Sequence, residues 1–164
     1  YYPINACLRP LCSLDGCSIT TVEGVGSTAK DDMNPIQQQM AKCNGTQCGF
    51  CTPGWVNNMY GFLMENNGVA TEDQIERHFD GNLCRCTGYK KITKSCLLAA
   101  EAMRNNSTIE LSKSSGKVGE SLPKYDSIRL AKGEAPYVAD LKFEGMLHGA
   151  LKFSDHPRAQ FLKF

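Results

Sequence analysis

The sequence predicts a mainly α fold in which four short helices carry two cysteine motifs. Apolar residues recur at helical spacing through the middle of the chain, and residues that favour helix starts stand in front of these segments. Both cysteine motifs, Cys48-Gly49-Phe50-Cys51 and Cys84-Arg85-Cys86, adjoin predicted helices. We therefore expect each motif to lie where a loop meets a helix.

The first two helices are predicted from capping residues and apolar spacing. Asn34 suits an N-cap and Pro35 the first helical position, and this helix ends by Asn44-Gly45. The second begins at Thr52-Pro53 and ends at Asn66-Asn67-Gly68. Its apolar residues lie at positions i, i+4, i+7 and i+8 and are Trp55, Met59, Phe62 and Leu63. We expect these side chains to form core.

The third and fourth helices flank the second cysteine motif. Thr71 and Gln74 match a capping box, which opens a helix that ends at Asp80-Gly81. The fourth helix follows the motif and carries an apolar stripe of Ile92, Cys96, Ala99, Ala100 and Met103. Because Cys96 lies on this stripe, it is predicted to be a small core residue rather than a ligand.

The two ends of the chain differ from this helical centre. Residues 1–26 contain β-prone runs that end at glycines, and the runs at 135–140 and 146–153 also look more β-like than helical. Residues 105–121 have the polar, Ser-rich composition of a linker. The predicted organisation is therefore an opening segment, 1–26, a helical domain, 27–104, a linker, 105–121, and a last segment, 122–164.

Composition limits the classes of partner. The 164 residues include 18 basic and 17 acidic side chains, so the net charge of +1 provides no field that would attract nucleic acid or an anionic membrane. No apolar run approaches the roughly 18 residues of a membrane span. The nine cysteines are an odd number and no signal peptide precedes them, which favours a reducing compartment. We expect a cytoplasmic protein that binds neither nucleic acid nor membrane.

Cysteines in two motifs predict a metal centre. Thiolates bind zinc and iron-sulfur centres well, and each short motif fixes two ligands at a nearly constant separation. Zinc ribbons usually place such motifs on hairpin turns, whereas these adjoin helices, so the spacing favours an iron-sulfur centre modestly. Zinc stays open at this point. It would make the chain a helical interaction module without redox activity.

The longer sequence around both motifs resembles the helical [2Fe-2S] domain of the molybdenum hydroxylases, the xanthine dehydrogenase and aldehyde oxidase family. The resemblance is carried by Gln47 to Gly54 and Gly81 to Tyr89, and it extends over roughly Tyr1 to Met103. It implies that the [2Fe-2S] cluster is ligated by Cys48, Cys51, Cys84 and Cys86. It also implies that Gln47 and Cys86 lie beside the molybdopterin, and that single electrons pass from there to a second iron-sulfur centre.

The same resemblance extends to both ends, with departures. Cys7 resembles the last ligand of a plant-type ferredoxin cluster, but the preceding C-x4-C-x2-C run is absent, so residues 1–26 are predicted to be the remnant of a ferredoxin-like β-grasp domain. Residues 119–123 and 133–140 resemble the α+β hammerhead start of the molybdenum subunit. The FAD domain and the catalytic molybdenum domains are missing here.

These departures predict a fragment or an internally deleted form of such an enzyme. The chain would hold no catalytic residue of its own. Its partners would be the remaining domains or subunits of the molybdenum hydroxylase, and the full-length enzyme is expected to be a homodimer. The resemblance leaves open whether that enzyme oxidises purines or aldehydes.

Overall fold

The computed structural model describes residues 1–30, 32–107, 109–110, 115–158 and 160, and these residues form helices and no strand. The α-helices are α1 (Val22–Val25), α2 (Pro35–Lys42), α3 (Thr52–Glu65), α4 (Glu72–Arg77), α5 (Lys90–Asn105) and α6 (Ser127–Lys132). Short 3₁₀ turns occur at Ala6–Leu8, Leu11–Leu14, Thr28–Lys30 and Val138–Asp140. The predicted mainly α fold is confirmed. No helix among the described residues is long and apolar enough to cross a membrane.

The two β-prone ends differ from the prediction. Residues 17–21 are irregular and lead into α1, and the runs beyond residue 135 contain only a 3₁₀ turn and irregular backbone within the described residues. An extended segment needs a neighbouring strand to bond with, and the residues that the structure describes provide none. The identification of these ends with a β-grasp remnant and a hammerhead-like start stays a prediction. Parts of the predicted regions, namely 31, 108, 111–114, 159 and 161–164, lie outside the described residues.

Two of the predicted helices, α2 and α4, begin at their predicted caps. In α2 the Asn34 side chain accepts a hydrogen bond from Ile36 N–H (3.0 Å), and the Gln37 side chain accepts one from Asn34 N–H (3.0 Å). In α4 the Thr71 hydroxyl accepts from Gln74 N–H (3.2 Å), which completes the predicted capping box. These contacts pair N–H groups that a helix start would otherwise leave without partners. The helix starts were therefore predictable from sequence.

The core lies between α2, α3 and α5. Trp55, Met59 and Leu63 from α3, with Ile92 and Cys96 from α5, have no exposed surface. Burying side chains of this size contributes about 1.5–3 kcal/mol each. Burial also raises the pKa of Cys96 to about 12, so this thiol stays neutral. Its predicted role as a core residue is confirmed.

The short helix α6 was not predicted, and it packs on α2 and α3. Leu130 is almost fully buried and Ala131 is fully buried. The helix has only six residues and includes Arg129 and Lys132, so its periodic signal is weak. The beginning of the predicted segment 122–164 is thus docked on the helical domain rather than separated from it.

Removing the N-cap of α2 should lower the stability of the whole helical domain. Asn34→Ala removes the acceptor for Ile36 N–H, and we expect the free energy of unfolding to fall by about 0.5–2 kcal/mol. Urea denaturation followed by circular dichroism measures this change. Asn105→Ala, at the exposed end of α5, is the matched control and should stay within about 0.5 kcal/mol of the parent chain. Equal stability of the two variants would contradict the capping role.

Candidate metal centre

The first cysteine motif is a tight loop that leads into α3. Gly49 has φ +81, a backbone conformation that other residues rarely adopt, and Cys51 is the N-cap residue of α3. Behind the loop, the buried Thr52 hydroxyl donates to the Thr46 hydroxyl at 2.8 Å. The loop therefore holds Cys48 and Cys51 in a fixed relation at the start of the helix.

The second cysteine motif is organised around the buried Cys84. Its N–H donates to the Tyr89 hydroxyl at 3.1 Å, while its sulfur accepts from Thr87 N–H at 3.4 Å and lies 3.1 Å from the Thr87 hydroxyl. The Thr87 hydroxyl in turn accepts from Tyr89 N–H at 3.2 Å. A left-handed backbone at Gly88 and Tyr89 turns the chain into α5. These hydrogen bonds fix the orientation of the Cys84 side chain.

The two motifs, far apart in sequence, bring their thiols together in pairs. The Cys51 thiol interacts with Cys84, and the Cys48 thiol interacts with Cys86. Within the described ranges, no set of three or more His, Cys, Asp or Glu side chains is arranged as a ligand group for a single metal ion. The thiols thus interact across the two motifs, and the stronger interactions group them as two pairs, each with one member from either motif.

The two pairs differ in their exposure. Cys48 and Cys86 are exposed, whereas Cys51 is half-buried and Cys84 is buried. Phe50 and Leu83, each next to a cysteine in the sequence, leave 81% and 76% of their surfaces in solvent. The site thus has an inner side, with Cys51 and Cys84, and an exposed outer side, with Cys48 and Cys86.

The thiols of the inner pair titrate differently. Burial, followed by the interaction with Cys84, raises the pKa of Cys51 to about 12. Burial also acts to raise the pKa of Cys84, but the hydrogen bonds from the Thr87 hydroxyl and N–H outweigh it, so the Cys84 pKa is lowered. In the metal-free chain the Cys84 thiol therefore loses its proton more readily than the Cys51 thiol.

Trp55 provides a test of whether a thiolate-bound group fits this site. Its indole N–H is buried and has no hydrogen-bond partner of ordinary geometry. It nevertheless lies beside the Cys51 sulfur, where it acts to lower the pKa of that thiol. An unpaired buried donor is costly, and a metal-bound thiolate at Cys51 would accept a hydrogen bond from it. The donor set and this orphaned N–H both fit a thiolate-ligated centre.

The other predicted site residues occupy exposed positions. Gln47 is exposed, and its carbonyl oxygen accepts from Lys124 Nζ at 2.6 Å. Cys7 is exposed within the 3₁₀ turn Ala6–Leu8, where its N–H donates to the Asn5 side chain at 3.2 Å. The roles predicted for both, beside molybdopterin and in a second cluster, stay predictions.

Sequence reasoning missed the residues that contact the first cysteine motif from outside the helical domain. The Tyr137 hydroxyl donates to the Cys48 carbonyl oxygen at 3.0 Å, and Leu130 and Tyr137 lie against Gly49. Burial and the nearby Cys48 raise the pKa of Tyr137, so this hydroxyl keeps its proton and acts as the donor. No motif in residues 122–140 predicts these contacts, because they join positions that are distant in sequence. The Tyr137–Cys48 hydrogen bond, for example, joins positions 89 residues apart.

A side chain at Gly49 should disrupt the first cysteine motif. Gly49→Ala would place a methyl group onto the Leu130 side chain in a backbone conformation already unfavourable to alanine. Gly81→Ala is the matched control, because Gly81 also has positive φ (+85) but nothing within 4 Å of the added carbon. We expect Gly49→Ala to lose about 1–3 kcal/mol more stability than the control in urea denaturation. Similar losses would contradict close packing at this loop.

Three comparisons with known proteins agree with this geometry. Residues 21–97 match the protein family described as "[2Fe-2S] binding domain". Aldehyde oxidase 1 of Bos taurus is 54% identical over 96 residues, which cover 58% of this chain and 7% of that protein. Aldehyde oxidase 4 of Mus musculus is 50% identical over 117 residues, or 71% of this chain and 8% of that protein. The chain thus spans less than a tenth of the length of these relatives.

Solved structures share the fold. The aldehyde oxidoreductase from Desulfovibrio gigas matches with a TM-score of 0.69 and 27% identity, covering 82% of this chain and 15% of that one. Quinoline 2-oxidoreductase from Pseudomonas putida 86 matches with a TM-score of 0.55 and 34% identity, covering 64% of each chain. The resemblance to the molybdenum hydroxylases is confirmed, with residues 21–97 matching a [2Fe-2S] binding domain.

Proposed function

We propose that this chain is the one-electron transfer module of a molybdenum hydroxylase and relays electrons from a molybdopterin centre to a second iron-sulfur centre. The observation that carries the proposal is the pairing of Cys51 with Cys84 and of Cys48 with Cys86. When bound, a [2Fe-2S] cluster supplies reversible one-electron chemistry. The similarity to [2Fe-2S] domains of aldehyde oxidases supports the same assignment.

The pairs indicate how the chain would hold the cluster. Cys51 and Cys84 would hold the cluster on the inner side, where Trp55 N–H and Thr87 donate towards sulfur. Cys48 and Cys86 would hold it on the outer side. Donors to sulfur stabilise added negative charge, so Trp55 and Thr87 would favour the reduced state. The chain itself thereby tunes the potential.

The outer side is the proposed route to the partner domains. Cys86 and Gln47, the residues predicted to lie beside molybdopterin, are both exposed. Phe50 and Leu83, each next to a cysteine in the sequence, also expose apolar surface, which a partner would cover. Hydroxylation of a substrate belongs to those partner domains, and the chain contributes the electron path.

Stopped-flow spectroscopy tests this function. The chain is reconstituted anaerobically with iron and sulfide, reduced with dithionite, freed of excess reductant and mixed with an oxidised plant-type ferredoxin. We expect one electron per chain to move to the ferredoxin, with recovery of the oxidised visible spectrum. The apo chain, carried through the same steps, is the control. A colourless, zinc-loaded chain that transfers no electrons would instead identify a zinc-stapled interaction module.

A further inference from the structure

The segment Leu122 to Asp140 packs on the helical domain although it lies beyond the residues matched to the [2Fe-2S] family, 21–97. At its beginning, the Asn44 side chain donates to Leu122 O (2.9 Å) and accepts from Lys124 N–H (3.0 Å). Near its end, Glu134 accepts from both the N–H (2.7 Å) and the hydroxyl (2.6 Å) of Thr28. The segment is therefore held at two separated points.

The same segment also contacts the backbone of the first cysteine motif. Lys124 Nζ donates to the carbonyl oxygen of Gln47 at 2.6 Å, and the Tyr137 hydroxyl donates to that of Cys48 at 3.0 Å. The two acceptors are consecutive carbonyls at the entrance of the loop. Both donors approach from outside the helical domain, so they fix the loop on the side that the core does not reach.

The ring of Tyr137 and the side chain of Leu130 also contact the loop directly. Tyr137 meets Phe50 edge to face, with ring centroids 5.9 Å apart and planes inclined by 78°. Leu130 lies so close to Gly49 that an added methyl group would overlap it. The backbone of Tyr137 is itself fixed, since its N–H donates to the Asp140 carboxylate at 2.8 Å. Tyr137 thus contacts the motif from a rigid turn.

We infer that Tyr137 is a positioning residue for the metal centre, which holds the loop of Cys48 and Cys51 in its ligand geometry from a segment outside the [2Fe-2S] domain. The redox part of this inference depends on the proposed function, but the effect on the loop does not. A bond from the hydroxyl to the carbonyl of a ligand residue restrains that residue's backbone and places a donor dipole beside the ligand. Both effects act on Cys48, a member of the exposed outer pair.

The test uses Tyr137→Phe, which removes the hydroxyl and keeps the ring against Phe50, and Tyr137→Ala, which removes both. Tyr125→Phe is the matched control, because Tyr125 lies in the same segment and its side chain is fully exposed. The first measurement is hydrogen exchange of the metal-free chain, read on peptides that contain residues 48–52. The second is the midpoint potential of the reconstituted, cluster-loaded chain.

We expect Tyr137→Phe to speed exchange of these peptides about fivefold, the change that losing one ordinary hydrogen bond produces, and Tyr137→Ala to speed it by more. The midpoint potential of Tyr137→Phe should move to a more negative value, because a donor near the cluster is lost. Tyr125→Phe should match the parent chain in both measurements.

Three results separate this inference from the proposed function. Exchange rates in both Tyr137 variants equal to those of the control would overturn the positioning role, even if the cluster transfers electrons. Faster exchange with an unchanged potential would also overturn it and leave a contact that is only structural. Faster exchange in a chain that binds zinc and no cluster would support the hold on the loop while overturning the proposed function.

Discussion

Replacing Cys84 with serine is expected to abolish assembly of the [2Fe-2S] cluster. Cys84 is the buried member of the inner pair, and its sulfur accepts from Thr87 N–H at 3.4 Å. Serine keeps the shape but lacks the soft thiolate donor, so we expect cluster affinity to fall by at least on the order of 100-fold. The ratio of visible to ultraviolet absorbance after anaerobic reconstitution measures the remaining cluster.

The same variant should also show how much the bound cluster stabilises the chain against thermal unfolding. The cluster would join the start of α3 to the loop before α5, so the loaded parent chain should unfold at a higher temperature than Cys84→Ser under identical conditions. Cys12→Ser is the matched control, because Cys12 is exposed in a 3₁₀ turn remote in sequence from both motifs. If Cys84→Ser retained a full cluster while Cys12→Ser lost it, the proposed ligand set would be wrong.

Replacing Trp55 with alanine is expected to cause the largest loss of stability of any core substitution in the chain. Trp55 has no exposed surface and packs edge to face on Phe79, with ring centroids 4.4 Å apart. Truncation of a buried tryptophan leaves a large cavity and costs about 3–5 kcal/mol. That loss is comparable to the whole stability of many small domains. Chemical denaturation of the metal-free chain measures it.

Two further variants are informative. One is a control for Trp55→Ala, and the other isolates the role of the Trp55 N–H. Met64→Ala lies on the same helix with a partly exposed side chain and should cost much less than Trp55→Ala. Trp55→Phe keeps most of the apolar contact and removes the N–H beside Cys51, so it should shift the potential of the reconstituted cluster to a more negative value. A potential equal to that of the parent chain would show that this N–H does not stabilise the reduced site.

Local sequence signals predicted the helical centre well, for identifiable physical reasons. Asn34 and Thr71 start helices because their side chains pair N–H groups that lie two or three residues further on. Trp55, Met59 and Leu63 are buried because their spacing places them on one face of α3. The spacing of the cysteines predicted a thiolate site for the same reason, since each motif is local and its residue types have few other roles.

Features that depend on contacts distant in sequence were not predictable in this way. The short α6 is held by packing on α2 and α3, and its own sequence carries little periodic signal. Tyr137 and Lys124 reach the first cysteine motif only because the chain folds back across the domain. The orphaned Trp55 N–H beside Cys51 was equally hidden, because an apolar stripe predicts burial of a side chain but not the direction of its polar atom.

At the β-prone runs of the two ends, the local sequence signal indicated a conformation that the structure does not show. Their composition favours extended backbone, but the described residues form no sheet, since strand propensity acts only where a second strand supplies hydrogen bonds. In the opening segment, Val22 and Val25 are buried within α1 instead. Tertiary packing therefore decided the conformation of a segment whose own preference pointed elsewhere.

Metal and sulfide analysis combined with electron paramagnetic resonance, on the chain purified without oxygen, tests the central claim most directly. We expect about two iron atoms and two sulfides per chain, a red-brown colour and a paramagnetic signal that appears on reduction with dithionite. Stoichiometric zinc in a colourless protein, with no signal on reduction, would contradict a [2Fe-2S] site built from the two cysteine motifs.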